Sequence, residues 1–134
     1  MTARPVIEVV AALATRADGR TLLVRKRGTV LFMNPGGKPE AGESHVEALV
    51  RELAEELGLV VDPARLEPLG TIRTVAANEA GHDLVAHCFV LRLDDPAHRV
   101  AAEIEEARWV DPHSPDVALA PLAAEHLLPL LAGR

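Results

Sequence analysis

From Gly36 to Leu59 the chain reads Gly-Gly-Lys-Pro-Glu-Ala-Gly-Glu-Ser-His-Val-Glu-Ala-Leu-Val-Arg-Glu-Leu-Ala-Glu-Glu-Leu-Gly-Leu. This is a glycine-rich loop running into a two-faced helix. At about 100° per residue, Val46, Leu49, Val50, Leu53 and Leu57 form one stripe, the spacing of a helix that packs on a core. Glu52, Glu55 and Glu56 lie together on the other side, within reach of one point in space. Like charges so close repel one another, and a cation among them would offset the cost. Ser44 with Glu47 three residues on is a capping-box pattern, and Gly58 is a C-terminal stop. Gly36 and Gly37 follow Pro35, so the loop can turn tightly and bring bare backbone near a ligand.

The flanking segments read mostly as strands. Residues 6 to 14 are apolar and β-branched and predict a buried strand. Ala17 to Arg20 is a turn, and Thr21 to Lys26 closes a hairpin. Arg25, Lys26 and Arg27 are either a solvated strand end or a contact for a phosphate. Thr29 to Asn34 predicts a short strand into the glycine loop. Leu66 to Ala76 predicts another, with a break at Pro68 to Gly70. A hairpin loop from Asn78 to His82 leads to a strand over Asp83 to Leu93. The near-continuous apolar run of that strand predicts burial on both faces. Asp94-Asp95-Pro96 ends it. Arg108 to Val110 is a last short strand. A second helix is expected from about Ala120 to Leu131, kinked or ended at Pro129. This order predicts an α/β (α+β) fold, a mixed sheet between helices, in one domain over residues 1–134.

Charge narrows the functions. With 14 basic and 20 acidic residues the net charge is −6, which argues against binding duplex nucleic acid through a basic face. A nucleotide substrate is not excluded, because a bound divalent cation reverses the local field. Cys88 is the single cysteine, so no internal disulfide forms, and a reducing, cytoplasmic setting is expected. No apolar run reaches the length of a membrane span, and no signal-peptide pattern opens the chain. The partner expected is a small nucleotide, and exposed edge strands are compatible with a homodimer.

Gly37, five residues, Glu43, seven residues, then Arg51-Glu52-Leu53-Ala54-Glu55-Glu56-Leu57-Gly58-Leu59 resembles the Nudix box, with its fixed positions filled. The match covers 23 of the 134 residues. The resemblance implies an α/β/α sandwich and a pyrophosphohydrolase. It implies that Glu52, Glu55 and Glu56 ligate divalent metal, joined by the carbonyl of Gly37. It also implies that Glu43 and Arg51 hold each other and orient the cluster.

On helix spacing alone, a solvated acidic face is the alternative. With a hard cation, Mg²⁺ or Mn²⁺, an oxygen-rich site polarises a phosphoryl oxygen and activates water. In the family that the chain resembles, the base that takes the water's proton is either a box glutamate or an acid in a loop after the box, here Glu103, Glu105 or Glu106, with Glu79 behind them. Glu105 is chosen for its position shortly before Trp109. Lys38 and Arg25 are candidates for phosphate contacts. Phe32 either stacks on a base or belongs to the core, and Asn34 beside it has an amide to read a base edge. The six histidines show no metal-pair spacing.

The absence of tyrosine argues against diadenosine polyphosphate hydrolases of the family, and the proline expected of many ADP-ribose hydrolases is missing near Thr74. What remains resembles the small MutT-type nucleoside triphosphate pyrophosphohydrolases. The alternatives are an ADP-ribose or other nucleotide-sugar pyrophosphatase and a non-catalytic nucleotide sensor.

Overall fold

The computed structural model describes residues 4–77, 79–94 and 98–133. Its strands are β1 (Val6–Thr15), β2 (Thr21–Lys26), β3 (Gly36–Gly37), β4 (Glu67–Val75), β5 (Asp83–Arg92) and β6 (Ile104–Val110). They form one mixed sheet in the order β4-β5-β1-β2-β6, with β3 on β1. β1 and β5 are parallel from Val6↔Asp83 to Thr15↔Arg92, and the other strand pairings are antiparallel. Helix α1 (His45–Leu57) covers one face. A C-terminal helix covers the other, π-wound over Leu122–Leu127 and α-helical over α2 (Leu128–Ala132). The fold is the expected mixed sheet between helices.

Side-chain alternation along β1 builds both cores. Val10, Ala12 and Ala14 pack toward Leu49, Leu53 and Leu57 of α1. Ala11 and Leu13 pack toward Leu122 and Leu127. Leu49, Leu53 and Leu57 are fully buried, and truncating one of them to alanine would cost about 2–5 kcal/mol.

One irregularity places the site. β1 and β2 pair in register only at Thr15↔Thr21. The segment before and through the glycine loop fills the gap beyond that pair. Val24 and Met33 exchange two backbone bonds of 2.8 Å, and Ala12 N–H donates to the Pro35 carbonyl at 2.9 Å. β3 then pairs with Val10 and Ala11. Gly36 has φ 152°, and a Cβ there would lie 1.9 Å from the Val10 carbonyl oxygen, so only glycine fits against β1.

Several expectations need correcting. Thr29 to Asn34 is not a strand: only isolated bridges form, Val24↔Met33 and Phe32↔Leu119. The break expected in β4 is a register shift between Pro68 and Gly70, so the strand continues past it. β6 begins at Ile104, four residues before the expected Arg108. β5, by contrast, is buried on both faces as expected, with Phe89 and Leu91 in one core and Ala86 and Cys88 in the other, and only its last residue, Arg92, is exposed. The C-terminal helix does not end at Pro129. Proline lacks the N–H that would bond one turn back, and the ladder widens ahead of it. Leu128 N–H reaches the Ala123 carbonyl, and the helix runs on to Ala132. The loop residue Asn78 and the stop at Asp95-Pro96 lie outside the described residues.

Candidate active site

The local sequence shapes α1 from both ends. Ser44 Oγ accepts the Glu47 N–H at 3.1 Å, and Glu47 Oε1 accepts the Ser44 N–H at 2.9 Å. Gly58 closes the helix at φ 65°, its N–H bonded to the Ala54 carbonyl at 3.0 Å. Relative to Leu49, Glu56 lies about 20° round the helix, Glu52 about 60° and Glu55 about 120°. Burial follows that order: Glu56 is 1% exposed and Glu52 8%, whereas Glu55 is exposed.

Arg51 organises this face. Its Nε and one terminal nitrogen grip both oxygens of Glu43, at 2.7 and 2.9 Å, a bidentate fork. Its other terminal nitrogen donates to Glu52 Oε1 at 2.9 Å and Glu55 Oε2 at 3.3 Å. The guanidinium also reaches the Lys38 carbonyl at 3.1 Å, which ties the glycine loop to the helix. The Arg51 bonds, with the Glu40 N–H, hold the Glu43 carboxyl down at about 2. Gly37 is the point of closest approach, since a Cβ there would stand 2.6 Å from the Glu52 carboxyl carbon.

Glu56 accepts the Gly36 N–H at 3.2 Å, and no lysine or arginine among the described residues pairs with it. Burial pushes its carboxyl up to about 8, and the charge of Glu52 adds to the shift. Burial also raises Glu52, against the pull of Arg51.

A third carboxylate comes from a distant segment. Arg99 and Ala101 donate their N–H groups to the Leu57 and Glu56 carbonyls, both at 3.0 Å, which satisfies acceptors left open at the end of α1. Ala102 turns with φ 54°. Arg27 N–H then bonds the Glu103 carbonyl at 2.9 Å, and the Arg27 side chain holds the Ala102 carbonyl at 2.7 Å. Glu103 is thereby fixed beside α1. Carboxylate oxygens of Glu52, Glu56 and Glu103 all lie within 4.8 Å of one another. An all-oxygen set this tight, with two members disfavoured as anions by burial, fits a hard divalent cation.

The cluster opens on a cavity of about 540 Å³, within the usual range of small-molecule sites. One wall carries Glu52, Arg51, Glu103, Gly37, Lys26 and Lys38. The other is aliphatic, formed by Ile7, Val9, Leu84, Pro121 and Leu122. Asn34 also lines the cavity. It is 6% exposed, its Nδ2 donates to the Ala12 carbonyl at 3.4 Å, and its Oδ1 is a buried acceptor without a partner among the described residues.

The expected residues divide accordingly. Glu52, Glu56, Gly37, Lys38 and Asn34 come together at or beside the cavity. Glu55 stands at the solvent edge of the cluster, held by Arg51. Glu105 does not join them. β6 has a bulge opposite Arg25 and Lys26, which pair with Glu106 and Ile104. The skipped Glu105 is turned out to Arg27, 3.1 Å away. Phe32 is buried among Leu23, Val110, Ala123 and Leu128, so it has no face with which to stack on a ligand. Arg25 shares that side of the sheet. It bonds the Thr29 carbonyl at 2.9 Å and approaches Glu106 at 3.5 Å, outside the cavity lining.

The residues that sequence reasoning did not single out are Lys26 and, as the chosen acid, Glu103. Strand parity marks Lys26: Leu22 and Val24 face α1 and Leu23 faces away, so Lys26 falls on the α1 side. No comparable signal marks Glu103 over Glu105, because the bulge is not visible in the residues.

The NUDIX domain family model matches residues 6–131. An RNA pyrophosphohydrolase of Halorhodospira halophila is 33% identical over 125 residues, covering 81% of this chain and 66% of its own length. A CTP pyrophosphohydrolase of Escherichia coli is 49% identical over 57 residues, covering 40% of this chain and 42% of its own. The chain thus spans less than two thirds of either curated relative. The solution structure of the E. coli ORF135 protein superposes with a TM-score of 0.70 at 32% identity, covering 94% of this chain and 88% of that one.

Proposed function

The chain belongs to the Nudix family, and on that premise we propose that it is a divalent-metal-dependent pyrophosphohydrolase. It cleaves a phosphoanhydride in a nucleoside diphosphate linked to another group. The favoured substrate is a (deoxy)nucleoside triphosphate, giving the monophosphate and pyrophosphate. The observation that carries this reading is the convergence of Glu52, Glu56 and Glu103 at one wall of a cavity also lined by Lys26 and Lys38.

Glu52 and Glu56 would hold the cation, Mg²⁺ or Mn²⁺, together with the Gly37 carbonyl and Glu55. When bound, the cation neutralises phosphate charge and lowers the pKa of a water. Lys26 and Lys38 bind phosphate oxygens as point charges. Arg51, anchored on Glu43, is a positioning residue that fixes the Glu52 carboxylate. The Glu103 carboxylate takes the proton of the attacking water. One P–O bond forms to that water, the anhydride P–O bond breaks, and pyrophosphate leaves with the electron pair.

The aliphatic wall accommodates the base without an aromatic platform. Asn34 Oδ1 lacks a donor, and leaving a buried acceptor unpaired costs about 1–3 kcal/mol. A base edge presenting an N–H group supplies that donor. The single buried cysteine, Cys88, whose thiol burial raises to about 11, suits a cytoplasmic setting. No helix among the described residues is long and apolar enough to cross a membrane.

The test is turnover with Mg²⁺ on deoxynucleoside triphosphates, oxidised ones, ADP-ribose and dinucleoside polyphosphates. Pyrophosphate release from triphosphates is the expected result. Preference for ADP-ribose would move the substrate to the nucleotide-sugar class. Binding without turnover on any of them would favour a nucleotide sensor.

A further inference from the structure

A second group of ligand-type side chains lies apart from the carboxylate cluster. Glu8 on β1, His45 in the first turn of α1 and His87 on β5 bring one ligand atom each within 4.8 Å of one another. None of the three lines the cavity. His45 precedes Glu52 by seven residues, about 10 Å along the helix. The strands set two of the members: β1 and β5 run parallel, with Glu8 opposite Val85 and Val10 opposite His87. Glu8 Oε2 and His87 Nε2 approach to 3.1 Å.

The remaining nitrogen of His87 is already engaged. Nδ1 lies 3.1 Å from Thr71 Oγ1, on the residue opposite it in β4. A hydroxyl on one ring nitrogen fixes the ring and leaves the other nitrogen to a metal, the arrangement that supports most histidine ligands. Metal–nitrogen and metal–oxygen bonds of about 2.0–2.2 Å at a tetrahedral angle separate two ligand atoms by about 3.3 Å. The Glu8–His87 separation is close to that edge.

His45 offers the third ligand atom. Its ring stacks on that of His87, with centroids 3.7 Å apart and planes 15° apart. Two stacked rings cannot both point at one ion. His45 is exposed, and a turn about its side-chain torsions would aim it at the same point.

We propose that Glu8, His45 and His87 bind one zinc-class divalent cation, with water as the fourth ligand, and so tie the first turn of α1 to β1 and β5. Two imidazoles and one carboxylate favour zinc, nickel or cobalt over Mg²⁺, which prefers oxygen alone. The site is independent of the hydrolytic cluster, so its failure would leave the proposed activity untouched.

The experiment is a Zn²⁺ titration by calorimetry in excess Mg²⁺, with Co²⁺ absorption in the visible as a probe of the ligand set. The expected result is one Zn²⁺ per chain and a higher melting temperature on binding. His45→Ala and His87→Gln should each weaken binding by about tenfold or more. His45→Ala, changed at an exposed position, should melt like the parent without Zn²⁺. Glu52→Gln should bind Zn²⁺ as the parent does. Failure to bind Zn²⁺ in excess Mg²⁺ would overturn the proposal and leave a hydrogen-bonded Glu8–His87 pair. Equal affinity in the histidine variants, or loss confined to Glu52→Gln, would also overturn it.

Discussion

The α1 wall of the cavity is held by charge and hydrogen bonds, whereas the opposite wall, from β1, β5 and the start of the C-terminal helix, is held by aliphatic packing. Arg51 alone joins Glu43, Glu52, Glu55 and the Lys38 carbonyl. Facing it, Val9, Leu84 and Leu122 pack together in one apolar cluster. On the proposed function, the first wall would set which bond is cut, so that a charge change there acts on turnover, and the second would contact the part of the substrate that does not react, so that changes there act on affinity and selectivity.

Metal removal is the largest blow to the first wall. Chelation with EDTA should abolish turnover and added Mg²⁺ should restore it, while circular dichroism shows the fold retained throughout. Residual turnover in chelator would break the distinction between the walls.

The next effect separates two neighbouring acids. Glu103→Gln should lower kcat by about a hundredfold, the usual weight of a general base. Glu105→Gln should leave it within about twofold, as for a surface pair. The reverse result would return the base to the bulge residue.

Elsewhere in the cavity lining, Asn34→Leu should raise KM about tenfold for substrates whose base donates an N–H, with little change in kcat. A drop in kcat instead would place Asn34 with the reacting phosphates.

The smallest effect is on stability. Burial raises the Glu56 carboxyl from its ordinary 4.5 to about 8. The folded protein therefore binds this proton more tightly than the unfolded chain. The stability so gained is complete below about 4.5 and is lost as pH rises through about 8. The metal-free protein should melt at lower temperature across that window, and Glu56→Gln should flatten the decline. Rising stability over the same range would contradict the burial argument.

The helical half of the site was legible because its determinants are local. The capping box and the Gly58 stop follow from residues within one helix, but Glu56 does not lie opposite the leucine stripe with Glu52 and Glu55: it stands about 20° from Leu49 and is buried. The strand-borne half depends on partners far along the chain. Lys26 follows from the alternation of Leu22, Leu23 and Val24, which puts Arg25 on the opposite face of the sheet with Leu23. Phe32 sits beside the glycine loop yet faces Leu128 and Val110, because the segment before the loop turns it toward the C-terminal helix. Glu105 was unreachable by parity: Ala107 and Trp109 pack on the α1 side, and only the bulge turns Glu105 away. Pro129 shows the same limit, since a π-wound turn accommodates a residue that would end a regular helix.

The most direct measurement is pyrophosphate release from a nucleoside triphosphate at saturating Mg²⁺ by the parent protein and Glu56→Gln, each with its melting temperature. The buried carboxylate cluster predicts a loss of about a thousandfold or more in turnover with the melting temperature unchanged or raised. Turnover within about threefold of the parent, at equal stability, would contradict it.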